Sequence, residues 1–289
     1  MKRRRFLAGL ASAAVAPATV RASAPFPFSG ELGVYAEFVG GGAPFADVRG
    51  ERPFSAASVI KLLIAVGAMA KASASSFSLD HPIAIPGRDV VGASESFGSA
   101  RAGSFAALGA LCSAMISQSD NTAANALLDW VGQRRLDDLA IDLGLTQTRL
   151  HRHFMDFAAR AAGRDNVTCA RDMAALAKGI AIGTARGYGG ASAWQCRYIY
   201  GRMLRQEDRE LIPAAIVRPA TIANKTGELI GVRHDVAIVD LGKPRAYVVA
   251  LLSEGWSSRS AATLQLRAAA AEVDRLARGI TRNAAPRSG

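Results

Sequence analysis

From Val59 to Met69 the chain reads Val-Ile-Lys-Leu-Leu-Ile-Ala-Val-Gly-Ala-Met, apolar nearly all the way round and interrupted by one charge, Lys61. A helix of that composition offers no face to water and must be buried on every side. An ammonium set among Val59, Ile60, Leu62, Leu63 and Ile64 is costly unless paired, and the expected response is a lowered pKa. Ser58 stands three residues before Lys61, on the same helix face. At the first turn its hydroxyl lies near unpaired amides and the positive end of the helix dipole. A serine so placed is a candidate nucleophile, and the lysine can take its proton. An isolated Ser-x-x-Lys is more often a capping serine followed by a snorkelling lysine, so the rest of the chain has to decide.

The 289 residues are half hydrophobic and 20% charged, enough for one compact unit or two intimate lobes. Glu31 to Phe38 alternates apolar and polar residues and ends in Gly40-Gly41-Gly42, predicting a strand and hairpin. The middle is helical: Phe105 to Ile116 after a Ser104 cap, Thr122 to Val131 closed by Gly132, Leu136 to Leu143 closed by Gly144, and Cys169 to Ile182 after Thr168. Two β-rich runs, Val236 to Leu241 and Ala246 to Ser253, are joined by Gly242-Lys243-Pro244-Arg245 as a hairpin. Ser260 to Arg278 then has helical spacing and should pack on that sheet. Strands at both ends around a helical middle imply an α+β fold: an antiparallel sheet flanked by helices, with an inserted all-α lobe. Residues 25–56 and 213–289 form the expected α/β lobe and 57–212 the helical one, with the functional residues where the lobes meet.

Residues 1–24 read as an export signal. Lys2, Arg3, Arg4 and Arg5 are followed by an apolar run from Phe6 to Ala18, too short to span a bilayer comfortably, and by Ala22-Ser23-Ala24. Arg3-Arg4-Arg5-Phe6-Leu7 resembles a twin-arginine signal, which implies export in the folded state to the periplasm or beyond, with no stable membrane anchor expected; the alternative is an ordinary secretory signal or an uncleaved anchor. This segment takes five of the 35 basic residues and leaves 30 against 24 acids, a net of +6. With no basic block interleaved with aromatics, that charge argues against a nucleic-acid partner. Cys112, Cys169 and Cys196 are too few and odd in number for a disulfide framework, and read as small buried apolar residues. His151-Arg152-His153 is the one histidine cluster and reads as surface, so no metal and no cofactor is assigned. Oligomeric state leaves no trace in the sequence.

Two further motifs follow Ser58-Val59-Ile60-Lys61 at intervals of 61 and 106 residues: Ser119-Asp120-Asn121 and Lys225-Thr226-Gly227. Alone, the first is a turn with a helix cap and the second a strand end with a turn. Read chemically, the Ser119 hydroxyl can relay a proton to a leaving group, and the Asn121 amide can orient Lys61 or a substrate amide. Asp120 ties down the loop. Lys225 and Thr226, following the β-rich Thr221-Ile222-Ala223 on an edge-facing strand, can grip a carboxylate, while Gly227 admits a substrate backbone.

In this order the three motifs resemble those of class A β-lactamases and penicillin-binding proteins. The resemblance extends through Leu111-Cys112-Ser113-Ala114, Thr122-Ala123-Ala124-Asn125 and Thr148-Arg149-Leu150, and covers roughly residues 31 to 280. It implies a serine hydrolase acylated at Ser58 that opens β-lactam rings, with an oxyanion hole made of the backbone amides of Ser58 and Glu228. It also implies that Arg233 holds the substrate carboxylate and that Asp235 is structural. The match fails in one place. Where the family carries a deacylating glutamate, the chain reads Arg149-Leu150-His151-Arg152-His153-Phe154-Met155-Asp156, with Phe154 at the glutamate position. Between Leu150 and Thr168 the acids are Asp156, left as candidate base, and Asp165, better placed to pair with Arg152. Three readings follow: a β-lactamase with slow deacylation, a D-alanyl-D-alanine peptidase or esterase, and a non-catalytic penicillin-binding module. All take a small-molecule substrate or ligand, a β-lactam or a D-Ala peptide.

Overall fold

The structure, a computed structural model, describes residues 31–279; the expected export segment lies outside them. Strand β1 (Glu31–Phe38) turns back into β2 (Ala46–Val48), and a short β3 (Phe54–Ser55) leads to helix α1 (Lys61–Ala74). The chain then makes β4 (Pro82–Ile85), a 3₁₀ turn at Gly87–Asp89, β5 (Ser104–Ala107), α2 (Leu108–Ser117), α3 (Asn121–Val131) and α4 (Gln133–Asp142). After a loop come α5 (Phe157–Ala161), β6 (Val167–Thr168), α6 (Ala170–Arg186), α7 (Ala193–Met203) and α8 (Ile212–Ala215). Strands β7 (Ile222–Leu229), β8 (Val232–Val239) and β9 (Tyr247–Glu254) precede the last helix, α9 (Arg259–Ala277).

Five strands pair antiparallel in the order β2-β1-β9-β8-β7, so the sheet is built from both ends of the chain. Both of its faces are covered, which is why the second half of β8, Val236 to Val239, and β9 from Tyr247 to Leu252 read as continuous apolar runs instead of alternating ones. Val236, Ile238, Val248, Ala250 and Leu252 join the core that encloses α1. Ala237, Val239, Val249 and Leu251 pack with Leu266, Ala270 and Val273 of α9 in a second core. Ten of the fourteen residues of α1 are buried, as its composition requires.

Two local readings are corrected. Phe105 to Ala107 is strand, not helix: β5 pairs with β4, Ile83 opposite Ala106, and Ser104 therefore caps nothing. Pairing with a strand twenty residues earlier outcompetes the local helical pattern, and Phe105 is left 69% exposed. Helix α7 is additional, and its start carries a sequence signal in Ser192 and Gln195, whose Oε1 accepts from the Ser192 amide at 2.8 Å.

Asp120 fixes the junction between α2 and α3. Its carboxylate is fully buried and accepts from the amides of Ala123 (2.8 Å), Ser96 (3.0 Å) and Phe97 (2.9 Å). The cap alone contributes about 1 kcal/mol, and the other two bonds tie the 92–102 loop to the helix that presents Asn121.

Candidate active site

Ser58 is half-buried in a tight turn that feeds α1. The Lys61 amide donates to Ser58 O at 3.2 Å and the Leu62 amide to Val59 O at 3.2 Å, so the serine stands one turn ahead of the regular helix. Ala57 before it has φ 44°, a strained backbone of the kind stored at functional sites. The side chain of Lys61 has no solvent exposure, and its Nζ donates to Ser119 O at 2.6 Å and Asn121 Oδ1 at 2.7 Å, with Ser119 Oγ at 3.4 Å. Burial, and then repulsion from Lys225, hold its pKa well below the usual lysine range, while Asp120 pulls weakly the other way. A neutral amine has two protons and one lone pair. The two short bonds use the protons, which leaves the lone pair for the hydroxyl on the same helix face.

The other two motifs close on this pair. Ser119 adopts φ 63°, and its Oγ lies 3.0 Å from Lys225 Nζ, between the two lysines. Lys225 is also fully buried, donates to Thr226 O at 2.7 Å, and is pushed down to about 7 by burial against the opposing pull of Asp235 and Asp208. Gly227 brings β7 against the start of α1: a Cβ there would meet Ser58 N at 3.1 Å and Val59 N at 3.2 Å. A side chain would press on the amide expected to face an oxyanion. Asn121 is aimed by residues that no motif marks. Its Nδ2 donates to Ala93 O at 2.9 Å and Gly92 O at 3.3 Å, which turns Oδ1 toward Lys61. Only the small and polar composition of the 92–102 loop hinted at this role.

The Beta-lactamase enzyme family matches residues 19–277, most of the chain. This chain is a member of that β-lactamase family. No curated protein shows significant similarity to it. Among solved structures it resembles a point mutant of PBP-A in an acyl-enzyme complex with penicillin G, at 26% identity over 85% of this chain and 89% of that one, TM-score 0.75. A β-lactamase from Burkholderia vietnamiensis is 26% identical over 85% of this chain and 91% of that one, TM-score 0.76. One from Sphaerobacter thermophilus is 24% identical over 88% and 93%, TM-score 0.75. The α+β architecture is that of these neighbours, and the protein is a serine hydrolase of the β-lactamase type.

Phe154, the residue expected to stand at the position of the family's glutamate, is buried with its ring 4.6 Å from Lys61 Nζ. Asn125 holds that backbone from both sides, accepting from Phe154 N at 2.8 Å and donating to Phe154 O at 3.2 Å. The loop base is closed by Arg152 and Asp165 at 2.7 Å, with Ser55 Oγ donating to Asp165 at 2.6 Å. Asp156 is not brought to the lysines. It is exposed, and its carboxylate caps α5 by accepting from Ala159 N at 2.9 Å. Asn125 and the inward ring were beyond reach of the sequence, which shows that a carboxylate is missing but not what fills its place.

Arg233 is held by partners that the sequence does not mark. It lies opposite Glu228 across β7 and β8 and so shares a sheet face with Thr226, whose partner is Asp235, while Lys225 projects from the other face. Arg233 is buried, 2.6 Å from Glu210 and 2.6 Å from Thr263 Oγ1. Those bonds hold the guanidinium toward α9, on the sheet face that also carries Thr226.

Proposed function

We propose that Ser58 is acylated by β-lactams with Lys61 as base, and that the acyl-enzyme is released slowly because Phe154 stands where a water-activating carboxylate would be. Ser58 Oγ attacks the lactam carbonyl as its proton passes to Lys61, and the amides of Ser58 and Glu228 receive the oxyanion. Ser119 then delivers a proton to the leaving nitrogen, while Lys225 and Thr226 hold the substrate carboxylate. The observation that carries this reading is the fully buried Lys61, bonded to Ser119 and Asn121 one turn after Ser58. The test is labelling by a fluorescent penicillin followed by washout. Fast labelling and slow loss support it, whereas full labelling of Ser58→Ala would overturn the nucleophile. The second reading, a D-alanyl-D-alanine peptidase or esterase, is favoured by the same apolar Phe154, because such an enzyme uses the same acylation groups without efficient turnover of a β-lactam adduct. Cleavage of a D-Ala-D-Ala peptide faster than of penicillin would select it.

The pH profile follows from the two lysines. Acylation needs Lys61 neutral, so its rate rises with pH through that lowered pKa; the carboxylate grip needs Lys225 charged, so the rate falls again above about 7. The second-order labelling constant should therefore be bell-shaped. Lys225→Arg, which stays charged, should move the alkaline limb to higher pH, and an unmoved limb would detach Lys225 from it.

Export to the periplasm or beyond is supported by the basic, apolar and Ala-Ser-Ala succession at the N-terminus. Among the described residues no helix is long and apolar enough to cross a membrane. Replacing Arg3, Arg4 and Arg5 by lysine should retain the chain in the cytoplasm on cell fractionation; unchanged export would exclude the twin-arginine route.

A further inference from the structure

Behind the loop that carries Phe154, three groups from separate parts of the chain converge: Asp89 of the 3₁₀ turn, Asp129 of α3 and His153. One ligand atom of each lies within 4.8 Å of the others. Asp129 Oδ1 is 2.7 Å from His153 Nε2, and its Oδ2 is paired with Arg88. Asp89 has no such relief. It is 0% exposed and neither carboxylate oxygen has a hydrogen-bond partner; the nearest cation, Arg88 Nε, is 3.8 Å from Oδ1. A buried carboxyl group with both oxygens unpaired and turned toward a second carboxylate is an unsatisfied polar group, and folded proteins seldom keep one without a partner. Burial and the neighbouring Asp129 both disfavour its ionised form.

We propose that Asp89, Asp129 and His153 bind one zinc ion. Two carboxylate oxygens and one imidazole nitrogen suit zinc better than magnesium or calcium, which take oxygen ligands. Zinc holds such donors at about 2.0–2.2 Å, so each must move inward by roughly 1 Å. Arg88, whose side chain is 69% exposed, is free to swing out and release Asp129. The Asp129 and His153 side chains are 22% and 39% exposed, so the site opens to solvent on their side, where water can complete the coordination. Bound zinc would join the 87–89 turn, the helix that presents Asn121 and Asn125, and the residue next to Phe154.

The test is equilibrium dialysis of the untagged chain against zinc chloride, with affinity read by competition against a chromophoric chelator. Wild type should take up one zinc per chain and melt at higher temperature with zinc than without. Asp89→Asn and His153→Gln should each weaken binding by about 10-fold or more, the loss seen even for residues one step removed from a metal. Arg88→Gln should tighten binding, because it removes the competing cation. Penicillin labelling of zinc-free Asp89→Asn at the wild-type rate shows that the variant is folded. Equal zinc affinity in wild type and Asp89→Asn, or no uptake by wild type at millimolar zinc, would overturn the site.

Discussion

Phe154→Glu shortens the lifetime of the penicilloyl adduct on Ser58 by roughly 10²–10⁴-fold, the range that a positioned general base contributes. The expectation rests on where the side chain already points. The ring lies 4.6 Å from Lys61 Nζ, and Asn125 fixes its backbone by two hydrogen bonds that do not depend on the side chain. A carboxylate in that place is within reach of a water beside the acyl carbonyl. It also places a negative charge next to Lys61, which raises the depressed pKa of that amine. The acid limb of the acylation profile should therefore move to higher pH in the same variant. Phe154→Gln matches the shape without the base, and its adduct should persist as in wild type. An adduct equally long-lived in the glutamate variant would mean that the loop holds residue 154 out of line with the ester, and that slow release has another cause.

Lys61→Met removes the base and leaves the helix. Labelling should slow by about 10²–10⁴-fold, and the acid limb of the residual rate should vanish because the group that titrates there is gone. Stability should change little. Methionine spares the cost of burying an amine, but Ser119 O and Asn121 Oδ1 lose their donor, at about 1–3 kcal/mol for each group left unpaired. A melting temperature close to wild type with labelling lost identifies Lys61 as chemical rather than structural; labelling at the wild-type rate would hand the proton to Ser119.

Much of this was legible in the sequence because single residues had to obey one rule regardless of context. The apolar run around Lys61 required burial, and the spacing of Ser58 and Lys61 required one face. Strand patterns at both ends required a sheet made from both. What escaped depended on partners distant in sequence. Phe105 joined a strand because β4 was there to pair with it. Arg233 takes Glu210 and Thr263, 23 and 30 residues distant, as its carboxylate and hydroxyl partners. Asp156 escaped for a local reason: its acid was visible as a candidate base, whereas the Ala159 amide it caps, three residues on, belongs to a helix of five residues, too short to show a period. The ring of Phe154 obeyed a constraint imposed by Asn125, which resembles any other interior amide until the loop is folded onto it.

The pairing of β1 with β9 has a temporal consequence. Glu31 lies opposite Glu254, so the central strand pair closes only after more than two hundred intervening residues have been made. Contacts of such long range form late. During synthesis the helical segment, with Ser58 and Lys61 inside it, can gather before β7 exists to lay Gly227 beside the nucleophile. A ribosome-bound chain that ends before β7 should therefore carry the serine but not react with penicillin, and reactivity should appear only on completion of the last strands. The same topology makes the C-terminal third of the protein a switch for the chemistry of its N-terminal third.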